Sequence, residues 1–487
     1  MAICLASRSR LLSSRLSRTK PAVIHLLSHP FIQQNTQHNA GPSHGLLPPA
    51  GLTAPDLLAS RRSIATHAIA EAAAMVSLGA ASSGYTFLSF TPGTAALGGL
   101  VLGIATAIKV IATGRVLGIS GAVKGLINGE AAPWRFAFLS GMLVGALMLT
   151  NAFPAAFEVI PESFPLWRAS LGGLLVGLGA ALGNGCTSGH GICGSARLST
   201  RSFAYTGTFM AAGMATATLT NTAAAMNVAP LAAAFAGPAA PELQLAVTAA
   251  LGGLAAFAAL SSAARAVRGA PSSQPSAQAQ QSVPFELGSE VLAGLLFAIG
   301  LGISGMTHPS KVAGFLTVGV PSWDASLPFV MGGAVMVAAI AYQGILRFKM
   351  MSKPLFTPGF CIPTSSLIDG RLLTGGVLFG AGWGLAGMCP GPAIVAALTG
   401  DPHVLAYLGS MAGGMWLEHR LTAWQQQQAK KEQQLTQQAA QQKAMGTEAV
   451  VSAPAAASEV MEGLSSAQPV TGGASIPRLK RVESQMG

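Results

Sequence analysis

Five cysteines occur in this chain, and two of them stand where an apolar sequence is broken by glycine or proline. Cys186 lies in the run Gly183-Asn184-Gly185-Cys186-Thr187-Ser188-Gly189-His190-Gly191-Ile192-Cys193-Gly194. Each interior glycine costs a helix about 1 kcal/mol relative to alanine, so irregular backbone is expected here. Cys389 lies in Gly387-Met388-Cys389-Pro390-Gly391-Pro392. Its two prolines lack an N–H and suit the first turn of a helix rather than its interior. A thiol is a weak, polarizable hydrogen-bonding group, which suits a sulfur-bearing ligand. The loop around Gly185, Thr187 and Ser188 can present backbone N–H groups as an anion nest, reinforced by a helix N-terminus.

Other polar residues near the loops leave two readings open. His190 serves either as a structural hydrogen-bonder or as a ligand contact. Arg197, Arg201 and Lys311 either attract an anion or anchor the ends of membrane segments. Asp324 and Asp369 are expected to cap helices beginning near Ser326 and Leu372. Cys186 and Cys193 are separated by six residues, which is not a zinc spacing, and no C-x-x-C is present. No metal and no cofactor is therefore expected.

The elements that must hold these loops follow from composition. Of the 487 residues, 51% are hydrophobic and 9% are charged, against roughly 25% charged in soluble proteins. So few charges cannot cover a soluble surface, which excludes a large soluble enzyme and a nucleic-acid binder. Apolar stretches near the ~20 residues that a bilayer requires run over Phe90–Thr113, Trp134–Ala152, Leu166–Leu182, Ser202–Thr222 and Leu243–Ala266. They continue over Leu287–Ile303, Leu327–Phe348, Leu372–Leu385 and Val404–Leu417, with Ile64–Leu88 as a weaker tenth. Short, glycine-interrupted segments of this kind predict half-helices or re-entrant loops. The expected fold is an all-α integral membrane protein with about nine to ten transmembrane segments in two repeated halves, broken at the Gly-rich Cys loops.

Five regions are expected. Residues 1–62 hold seven basic residues and one acidic residue, and supply most of the net charge of +11. This Ser-rich, acid-poor segment reads as an organelle transit peptide, mitochondrial rather than plastid. Residues 63–268 form a first membrane half, 269–284 a polar linker, and 285–420 a second half. Residues 421–487 form a Gln/Ala-rich tail, disordered after a short helical continuation. Leu117-Gly118-Ile119-Ser120-Gly121 recurs at 301–305, and Gly177, Gly179, Leu182 and Cys186 recur at Gly380, Gly382, Leu385 and Cys389. Two matches in the same order predict an internal repeat. A site between the halves would receive one thiol from each.

The string GNGCTSGHGICGSARLSTRS resembles the signature loop of the YeeE/YedE sulfur-transport family, which includes bacterial thiosulfate importers. GMTHPSKVAGFL, WDASLPFVMGG and GWGLAGMCPGPAIVAAL resemble the partner half of the same family. The resemblance covers roughly Phe90 to Glu418 and implies two halves fused in one chain, with Cys186, Cys389 and Cys193 lining a thiosulfate path. Cys361, in PGFCIPTSSLIDG, matches no family motif. The expected protein is a multi-pass transporter in an organelle inner membrane, not an enzyme, with thiosulfate or a related sulfur anion as cargo. The thiols stay protonated, since a thiolate would repel the anion. The rival reading is a membrane redox enzyme forming a cysteine persulfide or disulfide. A third is a structural protein whose glycines allow close helix packing.

Overall fold

The computed structural model describes residues 90–230, 237–269 and 282–464. The expected leader, the Ile64–Leu88 span, most of the 269–284 linker and the end of the tail lie outside the described residues. Among the described residues nine long helices occupy the nine apolar stretches, eight of them with ends shifted by a few residues. They are α1 (Pro92–Thr113), α3 (Pro133–Ala152), α4 (Leu166–Gly183), α5 (Thr200–Leu219) and α7 (Ala240–Gly269). Further along the chain come α8 (Val283–Ile303), α10 (Leu327–Leu346), α11 (Gly370–Ala386) and α13 (Pro402–Leu464). Four short helices stand between them: α2 (Ile119–Ile127), α6 (Thr222–Ala225), α9 (Pro309–Leu316) and α12 (Pro390–Ala396). No β-strand occurs among the described residues, which hold one isolated bridge between Arg115 and Cys361. Seven helical segments among them are long and apolar enough to cross a membrane. The protein is an all-α integral membrane protein.

Proline places several helix starts, at Pro92, Pro133 and Pro390, where its missing N–H costs nothing. Left-handed residues place several ends. Gly114 closes α1 at φ 65° and returns its N–H to the Val110 carbonyl.

The helices before residue 270 interlock with those after residue 282 rather than stand beside them. A methyl group on Gly98 of α1 would lie 2.4 Å from the Ser304 nitrogen, and one on Gly300 would reach Leu102. Helices α1 and α8 therefore cross antiparallel at backbone distance. Helices α4 and α11 do the same, with Gly172 against Ala386 and Gly375 against Gly183. Two further pairs run parallel: α1 with α10, through Gly99 at Val330 and Gly103 at Val337, and α3 with α8, through Gly141 at Val291 and Gly302 at Leu149. Small residues let membrane helices approach this closely, and dispersion between them replaces the absent hydrophobic drive. Exposed Leu243, Val247, Leu251 and Leu254 on α7 form an apolar face suited to lipid.

Charge is kept in pairs inside this unit. Lys109 of α1 donates to Glu290 of α8, both buried. Arg115 bridges Glu290 at 3.2 Å and Glu286 at 2.9 Å. The Lys109 ammonium also sits 4.1 Å from the centre of the Phe138 ring and 5.0 Å from that of Trp134. The compact membrane unit extends to His419, and residues from Arg420 form a second unit. There α13 continues to Leu464, further than the short continuation expected, because its glutamines and alanines are good helix formers.

Candidate functional site

The two cysteine loops are built alike. Helix α4 ends at Asn184 in the left-handed region (φ 55°), its N–H on the Ala180 carbonyl. Helix α11 ends at Gly387, also left-handed (φ 64°), with its N–H on Trp383. Cys186 and Cys389 follow in extended backbone. Each then opens a short helical segment, a wide π-helical turn over Thr187–Gly194 and the helix α12.

A buried tyrosine holds each loop from the next long helix. The Tyr205 hydroxyl donates to the Gly179 carbonyl at 3.2 Å and the Gly185 carbonyl at 3.3 Å. The Tyr407 hydroxyl donates to the Met388 carbonyl at 2.9 Å. Both tyrosines thus hold the residue immediately before a cysteine. Sequence reasoning missed them, although a signal was present: Ala204-Tyr205-x-Gly207 recurs as Ala406-Tyr407-x-Gly409.

His190 props the first loop from inside. Its Nε2–H donates to the Gly183 carbonyl at 3.2 Å, and its Nδ1 accepts from the Ser202 hydroxyl at 3.0 Å; the carbonyl can only accept, which fixes this tautomer. A methyl group on Gly185 would lie 2.4 Å from the imidazole Cδ2, so only glycine fits there. Both ring nitrogens of His190 are engaged within the loop and α5.

Cys186 and Cys389 line one cavity of about 320 Å³. Thr187, Ser188, Thr206, Trp383 and the thioethers of Met210, Met306 and Met331 also face it, among mostly apolar neighbours from both halves. None of its lining residues is charged. The Cys186 thiol and the Ser188 hydroxyl are 3.2 Å apart, and Ser188 accepts the Ile119 N–H at 3.4 Å. Thr187 reaches across to the Cys389 thiol. The α2 helix and the π-helical turn both begin at the cavity wall, at Ile119 and Thr187.

The remaining expected site residues lie elsewhere. The Cys193 thiol turns away from the cavity and donates to the Leu117 carbonyl at 3.3 Å. Gly185 supports the loop from behind. Arg197 donates to the Pro363 carbonyl at 2.6 Å, and Arg201 to the Leu367 carbonyl and the Asp369 carboxylate. Both arginines fasten residues 363–369, and the Arg197 Nε–H also donates to the Cys193 carbonyl at 3.1 Å. Asp369 sits at the start of α11, yet its side chain makes no capping bond. Against a desolvation that works the other way, the Arg201 guanidinium holds this carboxyl below its ordinary value. Asp324 accepts from the Ser326 N–H at 2.8 Å, just ahead of α10, and that helix too has no side-chain capping bond. Lys311 pairs with Asp324 at 3.5 Å and donates to Thr91. It borders a small void that shares Met306, Leu327 and Val330 with the main cavity. Cys361 lies in the loop before α11, its N–H on the Gly114 carbonyl at 2.8 Å, and does not line the cavity.

Residues 22–216 match the sulphur transport family, and residues 285–431 match DUF6691, a family of unknown function. A probable transporter of Xylella fastidiosa strain Temecula1 is 42% identical over 129 residues, which is 26% of this chain and 85% of that protein. A second probable transporter of the same strain is 43% identical over 123 residues, 25% of this chain and 90% of its own length. The chain belongs to the YeeE/YedE-type sulfur-transport family. It is a multi-pass membrane transporter of sulfur compounds. The family match begins inside the 1–62 segment expected to be a leader. About a quarter of this chain accounts for nearly the whole length of each relative.

Proposed function

We propose that this transporter carries a sulfur-containing inorganic anion, thiosulfate foremost, through the cavity between Cys186 and Cys389. The observation that carries this reading is that two cysteines, one from each cysteine loop, line a single cavity with uncharged walls. The protonated thiols donate weak S–H hydrogen bonds to the terminal sulfur and pass it on without covalent chemistry. Each contact is weak enough to release. Attraction of the anion comes from helix starts at Ile119 and Thr187, whose N–H groups carry partial positive charge.

The same reading treats the two halves as an inverted repeat fused through the 269–284 linker. Support comes from the antiparallel crossings of α1 with α8 and of α4 with α11, and from relatives that match about a quarter of the chain each. Such repeats place substrate sites at their interface near the bilayer midplane. Residues 1–62 act as a leader to an organelle inner membrane.

Uptake of labelled thiosulfate into proteoliposomes tests the reading. Cys186→Ala and Cys389→Ala each nearly abolish uptake at unchanged abundance, while Cys193→Ala and Cys361→Ala are mild. An equal, small effect from all four substitutions leaves the cysteines as packing residues and sinks the proposal. A mass increase on either cavity cysteine during turnover favours the redox-enzyme reading.

A further inference from the structure

The cavity is larger than an inorganic sulfur anion requires. Its volume is about 320 Å³, whereas one water takes about 30 Å³ of the liquid. Even with a full water's share for each of its five non-hydrogen atoms, thiosulfate fills less than half of that space. Cavities of about 300 Å³ and more are those in which proteins bury small organic molecules. The walls point the same way. The cysteine loops contribute Cys186, Thr187, Ser188 and Cys389, and most of the remaining lining is apolar. Leu102, Phe209, Phe297, Leu301, Phe315 and Val330 belong to it, and no lining residue is charged.

We infer that the cavity takes S-organyl thiosulfates, singly charged ions of the form R–S–SO3−, and holds them more tightly than thiosulfate itself. This rests on the reading that sulfur anions travel through the cavity, and extends it from an inorganic cargo to an organic one. Charge is the first reason. The Born cost of taking an ion out of water grows as the square of its charge, so a dianion costs about four times as much as a monoanion of equal size. Uncharged walls offer no counter-ion to offset the difference. A carbon on the terminal sulfur of thiosulfate removes one charge and keeps the sulfonate and the sulfur–sulfur bond. Volume is the second reason. The organic arm fills space that a smaller ion leaves over, and each methylene buried against apolar side chains stabilises the bound state. Divalent sulfur also packs favourably at the edge of aromatic rings, of which the wall holds three phenylalanines. Sulfate has neither the divalent sulfur nor the arm.

The experiment uses the full chain in proteoliposomes. Labelled thiosulfate uptake is challenged with S-methyl thiosulfate, S-butyl thiosulfate and butan-1-ol, and uptake of labelled S-butyl thiosulfate is followed directly. The butyl compound is expected to compete tens of times more strongly than the methyl compound, at about four-fold per methylene, and to be transported. Met210 lines the cavity from α5. Met210→Trp adds bulk there and is expected to erase most of the preference for butyl over methyl, whereas Met210→Ala keeps it. If Met210→Trp lowers abundance, the series of competitors on the unmodified chain decides alone. Thiosulfate uptake with no gain from methyl to butyl, or butan-1-ol competing as well as S-butyl thiosulfate, overturns the proposal and leaves the transport reading standing. A full preference retained in abundant Met210→Trp also overturns it, because the arm then lies outside this cavity. So does inhibition that survives washing with an alkylthio group found on Cys186 or Cys389. A protein that moves neither thiosulfate nor S-butyl thiosulfate overturns both readings.

Discussion

The paired tyrosines allow the equivalence of the two cysteine loops to be tested without touching a thiol. Tyr407→Phe keeps the ring and removes one hydroxyl, which leaves the Met388 carbonyl without the donor now 2.9 Å away. Both residues are buried, so water does not replace the bond. Leaving a buried acceptor unpaired costs about 1–3 kcal/mol. Tyr205→Phe removes a hydroxyl shared between two carbonyls at 3.2 and 3.3 Å. Gly179 lies within a helix, so its carbonyl loses little, and the damage falls on Gly185, beside Cys186. The bonds are longer and shared, which places Tyr205→Phe at the lower end of that range. The lost energy belongs to the geometry of the thiol-bearing loop. Transport should therefore fall further than stability does, by about ten-fold for each 1.4 kcal/mol of lost positioning. The assay pairs thermal unfolding in detergent with thiosulfate uptake normalised to protein in the vesicle. Uptake that falls only in proportion to abundance, or stays normal in both variants, refutes the idea that these hydroxyls position the cysteines.

Two further expectations concern other parts of the chain. Glu290→Gln strands the buried Lys109 ammonium against the rings of Phe138 and Trp134, so it should destabilise by about 3–5 kcal/mol. Lys109→Met should cost less, because Glu290 keeps Arg115 at 3.2 Å; equal melting temperatures for the two variants contradict this. A chain beginning at Ser63 should transport normally and fail to reach its organelle. Normal targeting removes the leader reading, and loss of transport assigns residues 22–62 to the transport domain that the family match covers.

Much of the architecture was legible because the bilayer imposes a length on every apolar run. Nine stretches became nine long helices, and the glycine and proline breaks at Cys186 and Cys389 marked where the backbone leaves the helix. The polar partners were less legible. Arg197 and Arg201 stand next to a cysteine loop in sequence, yet they bind carbonyls more than 160 residues away. A main-chain acceptor carries no side-chain signature, so nothing in the residue types announced it. The hydroxyls of Tyr205 and Tyr407 do carry a signature, the repeated Ala-Tyr-x-Gly at 204–207 and 406–409.

The interlocking of the halves bears on how a cargo can move. Gly98, Gly99, Gly141 and Gly179 bring backbone against backbone across the boundary between the halves. A rigid rocking of one half against the other would separate these contacts, where dispersion is densest and no water is available to replace it. Smaller movements would suffice at the cavity itself. Met306, Leu327 and Val330 form the wall between the main cavity and the void beside Lys311, and a methionine changes rotamer at little cost. An uncharged cavity suits this arrangement. On the proposed path, a fixed cation among the thiols would hold a dianion too firmly for release, whereas neutral groups bind in increments that each side-chain movement can break. The buried pairs Lys109 with Glu290 and Lys311 with Asp324 stand outside the cavity, where they hold helices together.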